Sequence, residues 1–287
     1  GYVTRDGAGT ITQVKTIDDS IGGIDEIDGG DGFDVILGGA EGDRLTAALG
    51  DNVILGDAGL VNLNNTSSND VFTTNSAIGG VDNITGGGNG NNIIIGGAQG
   101  DMITGGNGGD IILGDGGYIT RDGSEIVTQV KSGDIDDVVG QIGGGDEIDG
   151  GPGNDVILGG TQGDNINVTL GDDIILGDNG VVNLNHPTSN DIYTTQPSIG
   201  GADTITGGID GSNIIIGGAF GDVITITSGN YAILGDNGHI TRDGSEAVTK
   251  IDAIGDEGSG DDTVTINLTS REIPQNVTVD GGGAEDY

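Results

Sequence analysis

Gly150-Gly151-Pro152-Gly153-Asn154-Asp155-Val156-Ile157-Leu158 has the form G-G-x-G-x-D-x-U-x, where U is a large aliphatic residue. Glycine lets the backbone turn tightly and point carbonyl oxygens inward, at φ values other residues resist. The aspartate at position six adds a hard carboxylate oxygen. The aliphatic residue at position eight lies in a short extended run whose alternate side chains face opposite ways. One such unit is a turn plus a strand of three or four residues, too small to bury anything alone. Two units make one coil of a solenoid, and stacked coils bury a continuous aliphatic ladder.

The spacing along the chain supports this. Position eight is held by Ile27, Ile36, Leu45 and Ile54, nine residues apart each time, and again by Ile148, Ile157, Ile166 and Ile175. Two further blocks, Ile84, Ile94, Ile103, Ile112 and Ile205, Ile215, Ile224, Ile233, carry one extra residue at their first step. The expectation is an all-β fold, a parallel β-roll or β-solenoid of nonapeptides with inserted β-hairpins.

Three stretches match the motif in full: Gly29 to Leu37 (GGDGFDVIL), Gly105 to Leu113 (GGNGGDIIL) and Gly150 to Leu158. On these residues the chain resembles the RTX, or haemolysin-type calcium-binding, nonapeptide repeats of secreted bacterial proteins. Other units depart from the pattern. In Gly38-Gly39-Ala40-Glu41-Gly42-Asp43 the glycine has moved from position four to position five. The nonapeptides cover roughly half of the chain.

A longer repeat contains the short one. GYVTRDG at Gly1, GYITRDG at Gly117 and GHITRDG at Gly238 open one kind of insertion; Gly59-Leu60-Val61-Asn62-Leu63-Asn64 and Gly180-Val181-Val182-Asn183-Leu184-Asn185 open another. Four nonapeptide-like strands follow each. This divides the chain into blocks 1–57, 58–116, 117–178 and 179–236, with a partial block 237–287. Both insertions read as hairpins; Asp122-Gly123 supplies a strong turn signal in one. They are expected to leave the solenoid as lateral arms or widened coils. From Asp261 the pattern departs, and the strands Asp262 to Thr269 and Asn276 to Val279 read as an array boundary, a new domain, a pairing edge or another inserted hairpin. The chain begins in mid-repeat without an initiating Met or a signal peptide, which reads as a piece of a longer array.

With two nonapeptides per coil, position-six residues eighteen apart meet across adjacent coils. The candidate pairs are Asp25 with Asp43, Asp34 with Asn52, Asp82 with Asp101, and Asn92 with Asp110, then Asp146 with Asp164, Asp155 with Asp173, Asp203 with Asp222, and Asn213 with Tyr231. Two carboxylates plus carbonyls from the glycine turns supply the six to eight oxygens calcium takes, whereas magnesium demands a tighter octahedron. The resemblance implies calcium at these same positions. Asn52, Asn92 and Asn213 keep an oxygen but lose a charge, so weaker sites are expected there, and an empty half-site at Tyr231. For a single Asp the bland reading is a turn residue capping its own backbone; the set in register argues for the lattice.

Composition narrows the partners. Of 287 residues 63 are Gly and 46 are Asp or Glu, against 8 Lys or Arg, for a formal charge of −38 with no Cys or Trp. Nucleic acid and anionic membrane surfaces would be repelled, and no apolar run is long enough to span a bilayer. Apart from its repeats, such a composition suggests disorder; the two readings merge if calcium folds the chain. Six basic residues, Arg5, Lys15, Arg121, Lys131, Arg242 and Lys250, lie in the first kind of hairpin. They read as solvated charge more readily than as docking groups. His186 and His239 vary between repeats, as surface residues do, and no nucleophile-base-acid grouping points to an enzyme. Sequons at Asn64, Asn65, Asn83, Asn167, Asn267 and Asn276 follow from a composition rich in Asn and Thr.

Three readings result. The first is a calcium-stiffened structural segment of an extracellular or cell-surface bacterial protein (rod, stalk, surface layer or fibre), with copies of itself or neighbouring repeats as partners. The second is a calcium-triggered secretion and folding module attached to a toxin or hydrolase; the regular hairpins count against it. The third is a flat binding face for glycans or ice, for which Thr46, Thr85, Thr104, Thr206 and Thr225 make only an irregular array. The first is the one the residues favour.

Overall fold

A computed structural model describes residues 1–64, 70–133, 143–186, 190–254, 260–266 and 277–280. The expected loop over 65–69, the sequons at Asn65, Asn267 and Asn276, and the strand continuation past 266 fall outside them. The described chain is all-β, without a helix. Two nine-stranded parallel sheets run the length of the molecule, and a ten-stranded antiparallel sheet runs beside them. The arrangement of the parallel strands is solenoid-like: successive nonapeptides alternate between the two parallel sheets.

The period-nine aliphatics become two in-register ladders. In one sheet Ile36, Ile54, Ile94, Ile112, Ile157, Ile175, Ile215 and Ile233 stand side by side. In the other Ile27, Leu45, Ile84, Ile103, Ile148, Ile166, Ile205, Ile224 and Val264 do the same. The two ladders face each other and form one core, in which most of the side chains are fully buried. Each such side chain contributes about 1.5–3 kcal/mol relative to exposure.

A second core separates the two parallel sheets in character. Strands such as Val53–Leu55, Ile111–Asp115 and Ile174–Asp178 are buried on both faces. Their position-seven and position-nine residues, among them Val53, Leu55, Leu113, Ile174 and Leu176, pack against Val61, Val71, Ile119, Val130, Val182, Ile192 and Ile240 of the insertions. This sheet is the central layer. Near-continuous apolar strands are what a parallel sheet covered on both faces requires. Its partner, with strands such as Arg44–Thr46 and Thr204–Thr206, turns its position-eight residue to the core and the residues on either side of it toward the exposed face.

The hairpins do not project as lateral arms. The five hairpins, from Tyr2–Arg5 to Val248–Ala253, pair with one another into one continuous antiparallel sheet over the central layer. Isolated hairpins would have left their edges and apolar faces in water, and pairing satisfies both. The spacing of the insertions permits it. Each hairpin brings two strands for every two coils, and neighbouring strands lie about 4.8 Å apart in either kind of sheet, so the layers advance in step.

The tail is also corrected. Thr263–Ile266 pairs parallel to Val223–Ile226 in the outer sheet, and Val277–Asp280 pairs parallel to Asn230–Asp236 in the central one. These strands belong to different sheets and continue the stack as a further coil, so they are neither a hairpin nor a separate domain. Backbone pairing needs no glycine motif, and the alternation of the tail strands satisfies it. The displaced glycine of 38–43 has a geometric reason too. Glu41, Gln99 and Gln162 take the left-handed turn position (φ 67°, 70° and 66°), while a Cβ on Gly42 would stand 2.4 Å from the Val81 carbonyl oxygen.

Deleting residues 147–164, one coil, would leave two hairpin strands to span a single step. The deletion is expected to expose the hairpin Gly180–Thr194 to limited proteolysis. Deleting residues 117–237, a full long repeat, keeps the layers in step and is expected to leave a protease-resistant β protein.

Candidate metal centre

Position six precedes the strand and shares the inward face with position eight, so the acid side chains turn into the roll. There they form two ladders, one along each edge. The first runs Asp25, Asp43, Asp82, Asp101, Asp146, Asp164, Asp203, Asp222 and Asp262; each carboxylate Oδ1 accepts the backbone N–H of the preceding member at 2.6–2.8 Å. The second runs Asp34, Asn52, Asn92, Asp110, Asp155, Asp173 and Asn213 with the same N–H to Oδ1 bond at 2.7–3.0 Å, and Tyr231 stands next in register to Asn213.

The pairs eighteen or nineteen residues apart are therefore neighbours. Spacing alone missed the links across the insertions: Asp43 to Asp82, Asp101 to Asp146, Asp164 to Asp203, Asn52 to Asn92, Asp110 to Asp155 and Asp173 to Asn213. It also missed Asp262, which closes the described part of the first ladder. The irregular separations hid these contacts, and the common Asp-before-strand pattern was the signal for them.

The ladder acids are a buried charge without a counter-charge. From Asp43 to Asp222 every member of the first ladder is buried, and Oδ2 of each has no hydrogen-bond partner. Oδ2 of Asp34, Asp110, Asp155 and Asp173 in the second ladder is likewise unpartnered. Among the described residues the ion pairs of the chain lie elsewhere, as with Arg44–Glu26 and Arg121–Glu125. From Asp43 to Asp222 in the first ladder, and at Asp110, Asp155 and Asp173 in the second, burial is the largest influence on the carboxyl and raises its pKa. It brings Asp101 up to about 10, Asp222 to about 9, Asp146 and Asp155 to about 8, Asp82 and Asp203 to about 7, and Asp110 and Asp173 to about 6. Neighbouring carboxylates add to it, as Asp146 and Asp82 do at Asp101.

The residues fit a hard divalent cation. A Cβ placed on Gly38 would stand 2.3 Å from Asp43 Oδ2 and 2.2 Å from the Gly56 carbonyl oxygen; on Gly96, 2.4 Å from Asp101 Oδ2 and 2.3 Å from the Gly114 oxygen. The same convergence recurs at Gly159 and at Gly217. A carboxylate oxygen lacking any proton donor and a main-chain carbonyl oxygen thus meet beside each glycine. Among the described residues no three acidic, His or Cys side chains are grouped to hold a metal by themselves. Any ion there would draw on carbonyls, which calcium accepts with flexible geometry.

Some positions are built otherwise. Asn52 and Asn92 each donate through Nδ2 to main-chain carbonyls, Gly86 and Gly105 among them, so their amides satisfy the turn that an acid leaves open. Tyr231 fills its half-site with a buried ring whose hydroxyl donates to the Gly208 carbonyl at 2.5 Å. The corner acids are staples. Asp57 accepts the N–H of Gly80 at 3.1 Å and of Ala98 at 2.5 Å; Asp115 accepts those of Gly144 and Thr161, and Asp178 those of Gly201 and Ala219. Each ties the chain returning from an insertion to the next coil.

Two of the arginines are not solvated. Arg121 and Arg242 are buried, and their guanidinium groups donate to the Asn62 carbonyl and to the Asn183 and Asn190 carbonyls of the preceding hairpin. His239 packs edge-on against Tyr193, at the place where Tyr118 meets Phe72. Compared with known proteins, the chain matches no family model and no curated relative.

These acids carry folded-state pKa values above the ordinary 3.8, so the metal-free folded state binds more protons than the unfolded one. Its stability is present at acid pH and lost as pH rises from about 4 through the 6–10 range of the ladder acids. In chelator, circular dichroism is expected to show more β structure at pH 5 than at pH 8, with a higher Tm at pH 5 wherever both melt; the opposite order would mean that the ladder is ionised without a cation. Separately, Gly96→Ala pushes a methyl into the converging oxygens and is expected to cost about 1–3 kcal/mol in denaturant melts.

Proposed function

We propose that the chain is a segment of an extracellular calcium-binding structural array, a calcium-binding β-roll of the RTX kind that folds and stiffens on the ion. The observation that carries this reading is the run of seven consecutive buried aspartates, Asp43 to Asp222, with unpartnered Oδ2 atoms and, among the described residues, no ion pair to a cationic side chain. An uncompensated buried carboxylate costs several kcal/mol. A row of them marks a fold that is incomplete at neutral pH until a positive charge is supplied.

Bound calcium would supply that charge and bring the glycine-turn carbonyls into its coordination shell. The residues that would hold it are Asp43, Asp82, Asp101, Asp146, Asp164, Asp203 and Asp222 on one edge, and Asp34, Asp110, Asp155 and Asp173 on the other. The Asn and Tyr231 positions contribute weaker sites or none. Folding is then coupled to a cation abundant outside cells and scarce within them, which suits a protein that travels unfolded and sets into a rod after export. The structural role is supported by three layers that advance in step along the described residues.

The test is a calcium titration of chelator-treated protein at neutral pH, followed by circular dichroism. A change from a disordered to a β spectrum, reversed by chelator and not reproduced by magnesium, is expected. A chelated chain that is already fully β at neutral pH and indifferent to calcium would refute the reading. Asp164→Asn is expected to weaken the calcium response and to ease folding in chelator, because it removes a buried charge.

A further inference from the structure

Alternate residues of the hairpin sheet turn away from the central layer. Ile119, Arg121 and Val130 are buried, whereas Tyr118, Thr120, Gln129 and Lys131 between them are half-buried. The same alternation runs through Gly59–Asn62, Val71–Thr73 and Ile192–Thr194. Strand register sets the outward residues in two rows across the sheet. One row reads Lys15, Leu60, Phe72, Tyr118, and repeats in kind as Lys131, Val181, Tyr193, His239. The other row pairs Gln13 with Asn62 and, one long repeat later, Gln129 with Asn183. In each pair the Gln Nε2 donates to the Asn Oδ1 at 2.8 Å.

Cross-strand pairing accounts for neighbours within a row, but not for what this face gathers. The chain has only five Tyr, three Phe and no Trp. Phe72 and Tyr118 nevertheless stand with ring centroids 5.3 Å apart, and Tyr193 and His239 5.7 Å apart, so each long repeat places one aromatic pair in the row. The two pairs are four strands apart, about 19 Å for a strand spacing of about 4.8 Å. The chain's three Lys, Lys15, Lys131 and Lys250, stand on this face as well; Lys250 lies opposite Thr241 and its side chain is 63% exposed. They offset here the acid excess of the rest of the chain.

We propose that this face binds an extended, uncharged β-1,4-linked polysaccharide, laid across the strands along the two rows. The faces of such pyranose rings are lined by C–H groups that pack on aromatic side chains. The hydroxyls at their rims donate and accept hydrogen bonds, as the Gln, Asn and Thr side chains of the second row do. A β-1,4 linkage between equatorial positions keeps the polymer straight, as a straight row requires, and one polymer reaching both aromatic pairs gains from their linkage. An anionic polymer would be repelled by the formal charge of −38. A second copy of this chain is a poor occupant. Packed sheets interdigitate apolar faces, and here the Gln and Asn row would be buried against itself. The face lies on the opposite side of the molecule from the Thr46 to Thr225 array. It takes its register from the hairpins, so the inference stands whether or not calcium is the ion of the ladder.

The experiment is native gel electrophoresis of the full chain, under conditions in which circular dichroism shows it folded. The gels contain no polymer, or one of three uncharged β-1,4 polymers: hydroxyethylcellulose, galactomannan or arabinoxylan. Carboxymethylcellulose supplies the glucan backbone with negative charge. Retarded migration is expected in at least one uncharged polymer. Tyr118→Ala combined with Tyr193→Ala is expected to raise the apparent Kd at least about tenfold, because both aromatic pairs are broken. Gln129→Ala, which leaves the rings in place, is expected to weaken binding less, and Thr104→Ala on the opposite face to leave it unchanged. Migration unaltered in all three uncharged polymers overturns the proposal. So does retardation that is stronger in carboxymethylcellulose, that survives the double substitution in a folded chain, or that is lost with Thr104→Ala. If the double variant does not fold, Gln129→Ala decides, and undiminished retardation in it overturns the proposal.

Discussion

The structure depends on one contact repeated along each edge: a position-six carboxylate that turns inward and accepts the backbone N–H of its neighbour in the adjacent coil. The bond fixes the vertical register of every turn, and through it the register of both aliphatic ladders. It also commits one oxygen of each carboxylate and leaves the other buried with no donor. Desolvation of these buried, adjacent acids opposes such a lock as pH rises toward neutral. Metal-coupled folding would follow from the geometry of the lock.

The three layers answer a second constraint, which is spacing. The polar-faced parallel sheet and the central parallel sheet share one core, and the central sheet shares another with the hairpins. A hairpin every two coils keeps the antiparallel layer level with the parallel layers beneath it. The buried corner acids Asp57, Asp115 and Asp178 secure the crossing from each hairpin back to the coil, while Arg121 and Arg242 bind each hairpin to the one before. The insertions thereby become a continuous outer wall for the central sheet, and bending the stack would have to strain all three layers together.

Legibility in the sequence followed how local each signal was. The nonapeptide period set the strands, the alternation between sheets and the aliphatic ladders, because turn and strand chemistry act within nine residues. The position-six acids could be picked out one by one, and neighbours within a block could be paired by spacing. The second core could have been read as well: Val53-Ile54-Leu55 and Ile174-Ile175-Leu176 are apolar at three consecutive positions, whereas Arg44-Leu45-Thr46 and Thr204-Ile205-Thr206 alternate. Three apolar residues in a row require cover on both faces, and the hairpins are the only layer available among the described residues.

The sequence by itself determined that this is a repetitive all-β chain, where its strands lie, and which residue types gather in its turns. Only the tertiary structure decided that the hairpins form a third sheet, that the acid ladders run unbroken through the insertions, that Arg121 and Arg242 are buried, and that the tail adds a coil. Each of these joins residues separated by an insertion, 39 to 61 positions apart where a hydrogen bond records it. Such contacts are selected by the common strand spacing of packed layers, and no periodicity shorter than the layers encodes that spacing.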